Sequence, residues 1–421
     1  MKGGPPTPDS RPPTRISLDR VAGGVSGGAL AVFNSLRRRS AEKGLPVYLV
    51  GGPVRDAVLG LPVANDLDFV LAGDAPALAA DLAEELGGEV TVHARFGTAT
   101  VLVDGDRIDI VTARKELYPF PGSLPEVSAS NLDDDLARRD FSVNAMALPL
   151  SEDSPEVIDP HRGLEDLANR FVATLHPGSF TDDPTRLMRA VRYEQRLEFQ
   201  ISETTLVEMK QTSASGHADA VSGDRWRHEF QKIFEEHRAA EMLVRAIELS
   251  VLPAIHPALT DGQWLAGLAA KTNSPPTDYL AALAVPLSAA DGEGVSRRLN
   301  LPTDWARVVR DTIALREAES SFDGPVSRIS RYLDGLDPNA IAAFARISED
   351  PQVAARLSRY LDEWRLVSPV LSGDDLLAMG VPPGVKIGEI LRELNAAKLD
   401  GLVSSEADER ALVQQIISRS S

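Results

Sequence analysis

The sequence predicts an α+β head followed by an all-helical neck, body and tail. Between residue 28 and about residue 150, short apolar runs typical of strands alternate with segments whose apolar residues recur at helical spacing. From about residue 169 onward, helical spacing continues almost to the end of the chain. Of the 421 residues, 43% are hydrophobic and 25% are charged, which is the composition of a folded globular protein. These observations favour a small mixed sheet with helices, followed by helices alone.

The head contains predicted strands bounded by glycine, proline and aspartate. We predict helices over residues 29–43, 53–59 and 75–86, and strands over residues 46–50, 65–71, 89–93, 98–103 and 107–113. Asp104-Gly105, between the last two strands, is a pair favoured in two-residue hairpin turns. Those two strands are therefore expected to form a hairpin.

Helical patterns fill the remainder. They cover residues 184–197, 224–236, 241–249, 304–317, 325–336, 338–347 and 353–366, with two further helices within residues 372–401. We divide the chain into a Pro/Gly-rich disordered tail (1–27), the head (28–168), the neck (169–238), the body (239–368) and a helical tail (369–421).

Composition excludes several classes of site. The chain has no cysteine, which rules out a disulfide scaffold, a thiolate nucleophile and Cys-ligated metal sites. That absence fits a reducing compartment, and a cytoplasmic location is expected. The net charge of −18 argues against nonspecific coating of nucleic acid and predicts that any basic surface is local. No apolar run is long enough for a membrane span.

Two aspartates on one predicted strand, and a third on another strand, are candidate metal ligands. In a strand, Asp66 and Asp68 project to the same face about 7 Å apart, whereas Leu67 and Phe69 point into the core. Asp109 lies between two isoleucines on a later strand. Closely spaced carboxylates repel unless a cation lies between them, and oxygen ligands suit Mg²⁺. The alternative, which a lone D-x-D pair would favour, is a set of solvated aspartates on an exposed sheet face.

A glycine turn lies fifteen residues before Asp66. Residues 51–56 read Gly-Gly-Pro-Val-Arg-Asp and join a predicted strand to a predicted helix. Gly51 and Gly52 let the backbone approach a phosphate closely, and the helix N-terminus offers unpaired N–H groups. Arg55 adds a guanidinium suited to triphosphate oxygens. The segment matches neither a Walker A loop nor a dinucleotide fingerprint, and the alternative is an ordinary turn.

The predicted helix after Asp183 carries a stripe of arginines. Arg186, Arg189, Arg192 and Arg196 follow one another at spacings that bring them to one helix face. A proline at the first helical position makes Asp183 the expected N-cap. The guanidinium groups repel one another, which predicts a polyanion on this face. The alternative is a solvated basic face paired with neighbouring acidic residues.

Together, the glycine turn and the D-x-D pair resemble the signature of the DNA polymerase β nucleotidyltransferase superfamily. Later segments narrow the resemblance to the class II tRNA nucleotidyltransferase and bacterial poly(A) polymerase family. Residues 136–145 (LARRDFSVNA) resemble its R-R-D-F-T-I-N-A motif, residues 159–167 its D-P-x-x-G-x-x-D-L segment, residues 182–193 its E-D-x-x-R-x-x-R-x-x-R-F motif, and residues 224–230, less closely, its R-I-x-x-E-L neck motif. The mild departures are Asp182 for Glu, Ser142-Val143 for Thr-Ile and Tyr193 for Phe.

The resemblance implies a polymerase β-like nucleotidyltransferase head and the transfer of CMP and AMP from CTP and ATP to a tRNA 3′ end. It assigns two Mg²⁺ ions to Asp66 and Asp68, with Asp109 as a third ligand or a proton acceptor. Nucleotide binding is assigned to Gly51, Gly52, Arg55, Arg139, Asp183, Arg186, Arg189 and Arg192, and support of the pocket to Asp140 and Asn144. In the tail, Lys386 and Arg392 are candidate RNA contacts, with an exposed helix end as the alternative.

Asp183 and Arg186 are expected to select the base. A carboxylate accepts hydrogen bonds and a guanidinium only donates them. Cytosine and adenine present an amine donor beside a ring-nitrogen acceptor, whereas uracil and guanine present the opposite order. An Asp/Arg pair can therefore prefer C and A without a template. The alternative for Asp183 is a plain helix cap.

Several alternatives stay open at this point. Addition of CC alone, of A alone or of poly(A) fits the same motifs, and the loop over residues 112–131 lies where the family carries elements that decide among them. A catalytically inactive RNA-binding protein is the non-enzymatic alternative, against which the intact aspartates and Arg55 count. The oligomeric state is undetermined.

Overall fold

A computed structural model describes residues 12–93, 97–269 and 274–420. The described chain forms two compact units. The first comprises the described residues up to Ser222 together with Leu249–Ala254, and the second comprises Gly223–Glu248 and Ile255–Ser421. No helix within the described ranges combines the length and apolar character needed to cross a bilayer.

The first unit mixes strands and helices. In chain order it contains α1 (Leu18–Ala22), α2 (Gly27–Lys43), β1 (Val47–Val50), α3 (Gly52–Leu59), β2 (Asp68–Leu71), α4 (Ala75–Leu86), β3 (Glu89–His93), β4 (Thr98–Val103), β5 (Asp106–Thr112), β6 (Arg114–Leu117), β7 (Glu126–Ala129), α5 (Leu132–Ala137), β8 (Ala147–Pro149), α6 (Gly163–Asn169), β9 (Phe171–Val172), α7 (Ser179–Asp182), α8 (Arg186–Leu197), β10 (Gln200–Ile201) and α9 (Glu203–Ala214).

Six of the described strands form a mixed sheet in the order β3-β4-β5-β2-β1-β8. The pair β2–β5 is parallel, and its register places Asp68 opposite Asp109. The neighbouring pairs β1–β2 and β4–β5 are antiparallel. The sheet therefore brings two predicted site residues, 41 positions apart in the sequence, to adjacent places on neighbouring strands.

Alternation along these strands explains why the aspartates face away from the core. Leu67 and Phe69 are 1% and 0% exposed, while Asp68 between them is exposed. Ile108 and Ile110 on β5 are likewise buried. Because successive side chains point to opposite faces of a strand, burial of these apolar residues directs the carboxylates to the other face. The predicted alternation is confirmed.

The predicted hairpin between β4 and β5 is also confirmed. Asp104 and Gly105 both have positive φ, at 51° and 87°, the combination that a type I′ turn requires. The antiparallel register runs from Thr98 opposite Val111 to Val103 opposite Asp106. This hairpin holds β5, and with it Asp109, against the centre of the sheet.

The loop predicted over residues 112–131 contains a second hairpin. Strands β6 and β7 pair antiparallel, with Arg114 opposite Ala129. The side chain of Glu116 accepts hydrogen bonds from Arg114 at 3.0 Å and from the Tyr118 hydroxyl at 3.0 Å. The prediction of an irregular loop is wrong here, because charged and β-branched residues pair without the apolar alternation that marks a buried strand.

The prediction of a disordered tail over residues 1–27 is wrong for the described part of that range. Residues 1–11 lie outside the described residues, but Ile16, Leu18 and Val21 are at most 1% exposed and belong to the core of the first unit. The prolines and glycines that predicted disorder flank a short apolar helix, α1. Burial of its apolar side chains offsets the entropy cost of ordering this segment.

The remaining chain is helical. It contains α10 (Gly223–Phe234), α11 (Ala239–Glu248), α12 (Val251–Ile255), α13 (Gln263–Ala269), α14 (Pro276–Ala284), α15 (Ala289–Arg298), α16 (Thr303–Ala318), α17 (Val326–Leu333), α18 (Pro338–Ile347), α19 (Pro351–Asp362), α20 (Gly373–Ala378), α21 (Val385–Leu399) and α22 (Glu406–Ser420). Near the C-terminus, Leu371, Leu376, Val381, Ile390, Leu394 and Val413 form a separate buried cluster.

The unit boundary differs from the predicted neck over residues 169–238. It falls after Ser222, so that α7, α8 and α9 belong to the first unit and α10 begins the second. A short parallel ladder between β9 and β10 contributes to this division, because it ties the residues on both sides of α8 together. Apart from Leu249–Ala254, the predicted body lies within the second unit, as does the predicted tail.

Candidate active site

The glycine turn between β1 and α3 forms the floor of the candidate site. Gly51 has a φ of +76°, and its N–H donates to the Met146 carbonyl at 3.3 Å. A Cβ atom at this position would lie 3.0 Å from Nη1 of Arg139 and 3.8 Å from Oδ2 of Asp68. The turn is thus faced by a guanidinium and a carboxylate, and a side chain here would crowd the guanidinium.

The predicted aspartates lie on β5 and at the start of β2. Asp68 is the first residue of β2 and pairs in register with Asp109 of β5. Asp66 precedes the strand by two residues and is exposed, so the predicted strand over residues 65–71 begins three residues late. Oδ1 of Asp109 accepts a hydrogen bond from the Thr100 hydroxyl at 2.6 Å.

The carboxylate of Asp68 is electrostatically strained. Although water reaches it, the surrounding protein disfavours the charged form and raises the pKa of Asp68 to about 6. Arg139 opposes this shift, whereas the negative charges of Asp66 and Asp109 add to it. A cation bound beside Asp68 would relieve the repulsion.

The oxygens of these aspartates suit a hard divalent cation, although the carboxylates do not surround a single position. Within residues 12–93, 97–269 and 274–420, no three His, Asp or Glu side chains come close enough together to coordinate one ion. The expected meeting of Asp66, Asp68 and Asp109 around one cation is therefore not seen in full, since Asp66 lies outside the strand ladder. Aspartate oxygens remain the ligand type that Mg²⁺ prefers.

Arg139 is held beside the glycine turn by a buried aspartate. Asp135 of α5, whose side chain is 0% exposed, accepts from Arg139 at 3.0 Å and from Arg138 at 2.8 Å. Arg138 also reaches Glu116 of the β6–β7 hairpin at 3.1 Å. Among the described residues, Nε of Arg139 is buried and has no hydrogen-bond partner. A ligand anion in the turn would meet this guanidinium in a set orientation.

Asp140 and Asn144 connect arginines of two helices. Oδ2 of Asp140 accepts from Nε of Arg189 at 2.8 Å and from its Nη2 at 2.5 Å. Oδ1 of Asp140 accepts from Nδ2 of Asn144 at 3.1 Å. The Asn144 oxygen in turn accepts from Nη1 of Arg55 at 2.7 Å. Arg189 of α8 and Arg55 of α3 are therefore joined through two buried polar side chains.

The charge of Asp140 is stabilised by this network. Burial alone would raise the pKa of Asp140, but the nearby guanidinium of Arg189 and the hydrogen bonds from Asn144 and Arg189 outweigh it, and Arg186 contributes further. The pKa is lowered to about 2. The carboxylate is thus ionised at neutral pH inside the protein.

The arginine stripe of α8 is not a solvated face. Arg186 and Arg192 are 5% and 7% exposed, Arg189 is half-buried, and only Arg196 of the predicted set is exposed. Nη1 of Arg186 donates to the Ser179 hydroxyl at 2.6 Å. Nη2 of Arg186 donates to the backbone carbonyl of residue 138 at 2.8 Å. The alternative of a basic surface stripe is wrong for Arg186 and Arg192.

The start of α8 differs from the prediction. The helix begins at Arg186, two residues later than expected. Oδ1 of Asp183 accepts from the backbone N–H of Thr185 at 2.9 Å and from its hydroxyl at 2.6 Å. Asp183 therefore forms a local turn ahead of the helix instead of its N-cap. The pairing of Asp183 and Arg186 with a base stays a prediction.

Sequence reasoning missed the supporting residues. Asp135 precedes Arg138 and Arg139 by three and four residues, a spacing typical of helical ion pairs that identifies it in retrospect. No local signal connects Glu116 or Ser179 with the site, because each reaches it through an arginine outside its own strand or helix, Arg138 for Glu116 and Arg186 for Ser179. In the second unit, Lys386 and Arg392 lie on α21, half-exposed and exposed respectively, and their contact with RNA stays a prediction.

Replacement of Asp140 by Asn should lower the free energy of unfolding by about 2–3 kcal/mol at pH 7, because Arg189 loses its charged partner. The folded pKa lies below the unfolded value, so the stabilisation is fully present above about pH 4 and is lost as the pH falls toward 2. The difference between wild type and Asp140→Asn in denaturant unfolding should therefore shrink over that range.

The control is Asp153→Asn, which removes an ion-paired carboxylate that is 90% exposed. It should change stability by less than about 1 kcal/mol. An Asp140→Asn difference that is the same at pH 7 and pH 3 would contradict the assignment.

Two family models match the chain. The poly(A) polymerase head domain matches residues 47–173, which contain the glycine turn, the aspartates and the network around Asp140. A model described as the probable RNA- and SrmB-binding site of polymerase A matches residues 198–262.

Curated relatives are similar over most of the chain. An A-adding tRNA nucleotidyltransferase of Geobacter sulfurreducens is 30% identical over 92% of this chain, which spans about half (47%) of that relative. An A-adding enzyme of Halalkalibacterium halodurans is 31% identical over 90% of both chains. A CC-adding tRNA nucleotidyltransferase of Deinococcus radiodurans is 34% identical over 91% of this chain and 92% of its own.

Solved structures agree with these relatives. A Thermotoga maritima CCA-adding enzyme complexed with tRNA(CCA) has a TM-score of 0.76 and 29% identity, over 96% of this chain and 100% of its own. A CCA-adding enzyme with ATP has a TM-score of 0.78 and 28% identity over 97% and 100%. A CCA-adding enzyme with CTP has a TM-score of 0.77 and 29% identity over 96% and 99%. The resemblance indicated by the motifs is thus confirmed, and this chain belongs to the class II tRNA nucleotidyltransferase family of enzymes.

Proposed function

We propose that this protein adds all or part of the terminal CCA to the 3′ end of tRNA, using CTP and ATP and releasing pyrophosphate. The observation that carries the proposal is the glycine turn faced on one side by Asp68 and on the other by Arg139. A triphosphate requires cationic groups for its oxygens and an acidic site for its metal ion, and both border this turn. The A-adding and CC-adding relatives support tRNA as the acceptor.

The aspartates would hold two metal ions and the arginines the nucleotide. Asp66 and Asp68 are the proposed Mg²⁺ ligands. When bound, one divalent cation would acidify the attacking 3′-hydroxyl and the other would neutralise the leaving pyrophosphate. Arg139 orients the triphosphate beside the backbone N–H groups that open α3. Asp109, whose side chain is 47% exposed, accepts the hydroxyl proton at its Oδ2 or completes the metal site.

Base selection is proposed for the segment that opens α8. A carboxylate accepts hydrogen bonds at both oxygens, and a guanidinium has five N–H donors, of which Arg186 gives two to Ser179 and to the residue 138 carbonyl. An acceptor beside a donor is complementary to cytosine and adenine. Because Ser179 and the residue 138 carbonyl hold Arg186, its donors keep the same position beside Asp183 during each addition.

Three primers separate the possible products. Transcripts of tRNA that end at the discriminator base, at C or at CC are incubated with Mg²⁺ and labelled CTP or ATP. Sequential C, C and A incorporation indicates full CCA addition, while use of only the first two or only the last primer indicates CC or A addition. Long A tracts on unrelated RNA would support the poly(A) alternative. Absence of incorporation on every primer would support the inactive RNA-binding alternative and refute the proposal.

The double variant Asp66→Ala/Asp68→Ala should lower incorporation by at least about a thousandfold, because it removes the proposed metal ligands. Asp81→Ala/Asp153→Ala is a matched control, since these carboxylates are 68% and 90% exposed and lie outside the site. The control should retain wild-type turnover. Appreciable activity of the Asp66/Asp68 variant at saturating Mg²⁺ would remove the metal assignment.

Gly51→Ala should weaken the binding of CTP and ATP by roughly tenfold or more, because its methyl group displaces Arg139. Gly87→Ala is a control for positive φ alone, because Gly87 is left-handed α (φ +66°, ψ 29°) with open space around its Cβ position, whereas Gly51 combines a φ of +76° with a ψ of −134°. Gly87→Ala should lose about 1–2 kcal/mol of stability, and Gly51→Ala should lose more. Equal nucleotide affinity of the two variants in calorimetric titration would disprove the role of the turn.

A further inference from the structure

The aromatic ring of Tyr193 lies among arginines from two helices. The guanidinium carbons of Arg55 and Arg192 are each 5.5 Å from the ring centroid, and that of Arg189 is 6.0 Å away. Phe141 meets the ring edge-on, with the two centroids 5.7 Å apart and the ring planes at 76°. Tyr193 itself is half-buried on α8.

The Tyr193 ring offsets the electrostatic repulsion between the arginines of this cluster. Arg55 and Arg192 are 4% and 7% exposed, so water screens their mutual repulsion poorly. The face of an aromatic ring carries partial negative charge and attracts a guanidinium, most strongly where water is excluded. Unlike a carboxylate, the ring adds no net negative charge that would repel a phosphate. It therefore stabilises closely spaced arginines without cancelling their charge.

The arginines around the ring belong to different parts of the site. Arg55 lies on α3, directly after the glycine turn, and is tied to Asn144. Arg189 and Arg192 lie on α8, and Arg189 is tied to Asp140. The Tyr193 ring and the pair Asp140–Asn144 thus form two connections between the same helices, one through cation–π contacts and one through hydrogen bonds.

We infer that Tyr193 is a positioning residue, whose ring holds Arg55, Arg189 and Arg192 in place for the nucleoside triphosphate. The inference rests on the proposed nucleotidyl transfer and concerns the ring, not the hydroxyl. Phenylalanine, which the family motif carries at this position, keeps the ring and should serve equally well.

The test varies the negative electrostatic potential of the ring face while the shape of the ring stays nearly the same. Tyr193 is replaced by phenylalanine, by progressively fluorinated phenylalanines up to pentafluorophenylalanine, and by leucine. For each protein, kcat, the KM for CTP and ATP, the KM for the tRNA primer and the equilibrium affinity for each nucleotide are measured, together with the thermal unfolding temperature.

Tyr193→Phe should lie within about twofold of wild type in every constant. Stepwise fluorination should raise the nucleotide KM and Kd in parallel, reaching roughly tenfold for the pentafluoro ring, since a desolvated cation–π contact accounts for a change of about that size. The primer KM should stay constant and kcat should change by less than about threefold. A merely structural role would lower the unfolding temperature without this ordered dependence on fluorine number.

The matched control is Phe199, whose ring lies 5.8 Å from the guanidinium carbon of Arg170 outside the site. Its pentafluoro replacement should leave nucleotide affinity unchanged. Equal nucleotide affinities of the Tyr193→Phe variant and the variant with pentafluorophenylalanine in place of Tyr193 would overturn the inference, even if Tyr193→Leu were impaired or unfolded. Failure of the proposed function is distinguishable, because wild type would then incorporate nothing while the binding series still tests the ring.

Discussion

The site depends on the buried negative charge of Asp140. A carboxylate inside a protein is unfavourable unless charged or polar partners surround it, and here Arg189 and Asn144 provide them. Through Arg189 and Asn144, the carboxylate of Asp140 connects α8 with α3. Without the charge of Asp140, Arg55 and Arg189 would repel each other. The arginines of α8 would then no longer be held in a fixed position relative to the glycine turn.

A second buried carboxylate also holds arginines near the glycine turn. Asp135 is fully buried and fixes Arg138 and Arg139, while Arg138 reaches Glu116 of the β6–β7 hairpin. The same segment that carries Arg139 is therefore connected to the hairpin and, through its backbone carbonyl at residue 138, to Arg186. We therefore expect a movement of the β6–β7 hairpin to shift Arg139, which faces Gly51.

The chain is strongly acidic, with a net charge of −18, yet its site concentrates arginines. The structure separates these arginines into two groups. Arg139 and Arg189 keep 15% and 27% of their side chains exposed and are able to meet a ligand directly. Arg55, Arg186 and Arg192 are almost completely buried. Arg139 and Arg189 are therefore the more exposed side chains of this set.

Local signals determined much of the molecule. Alternation of Leu67, Asp68 and Phe69 was sufficient to predict which face the carboxylates occupy, and the Asp104-Gly105 pair specified its turn, because both depend on near neighbours in the chain. The motif residues likewise identified the family. Tertiary structure alone decided which arginines are buried and that the Tyr193 ring meets Arg55 of α3 as well as arginines of its own helix. Those properties depend on contacts between residues far apart in the sequence, and a helix or strand pattern carries no information about what packs against it.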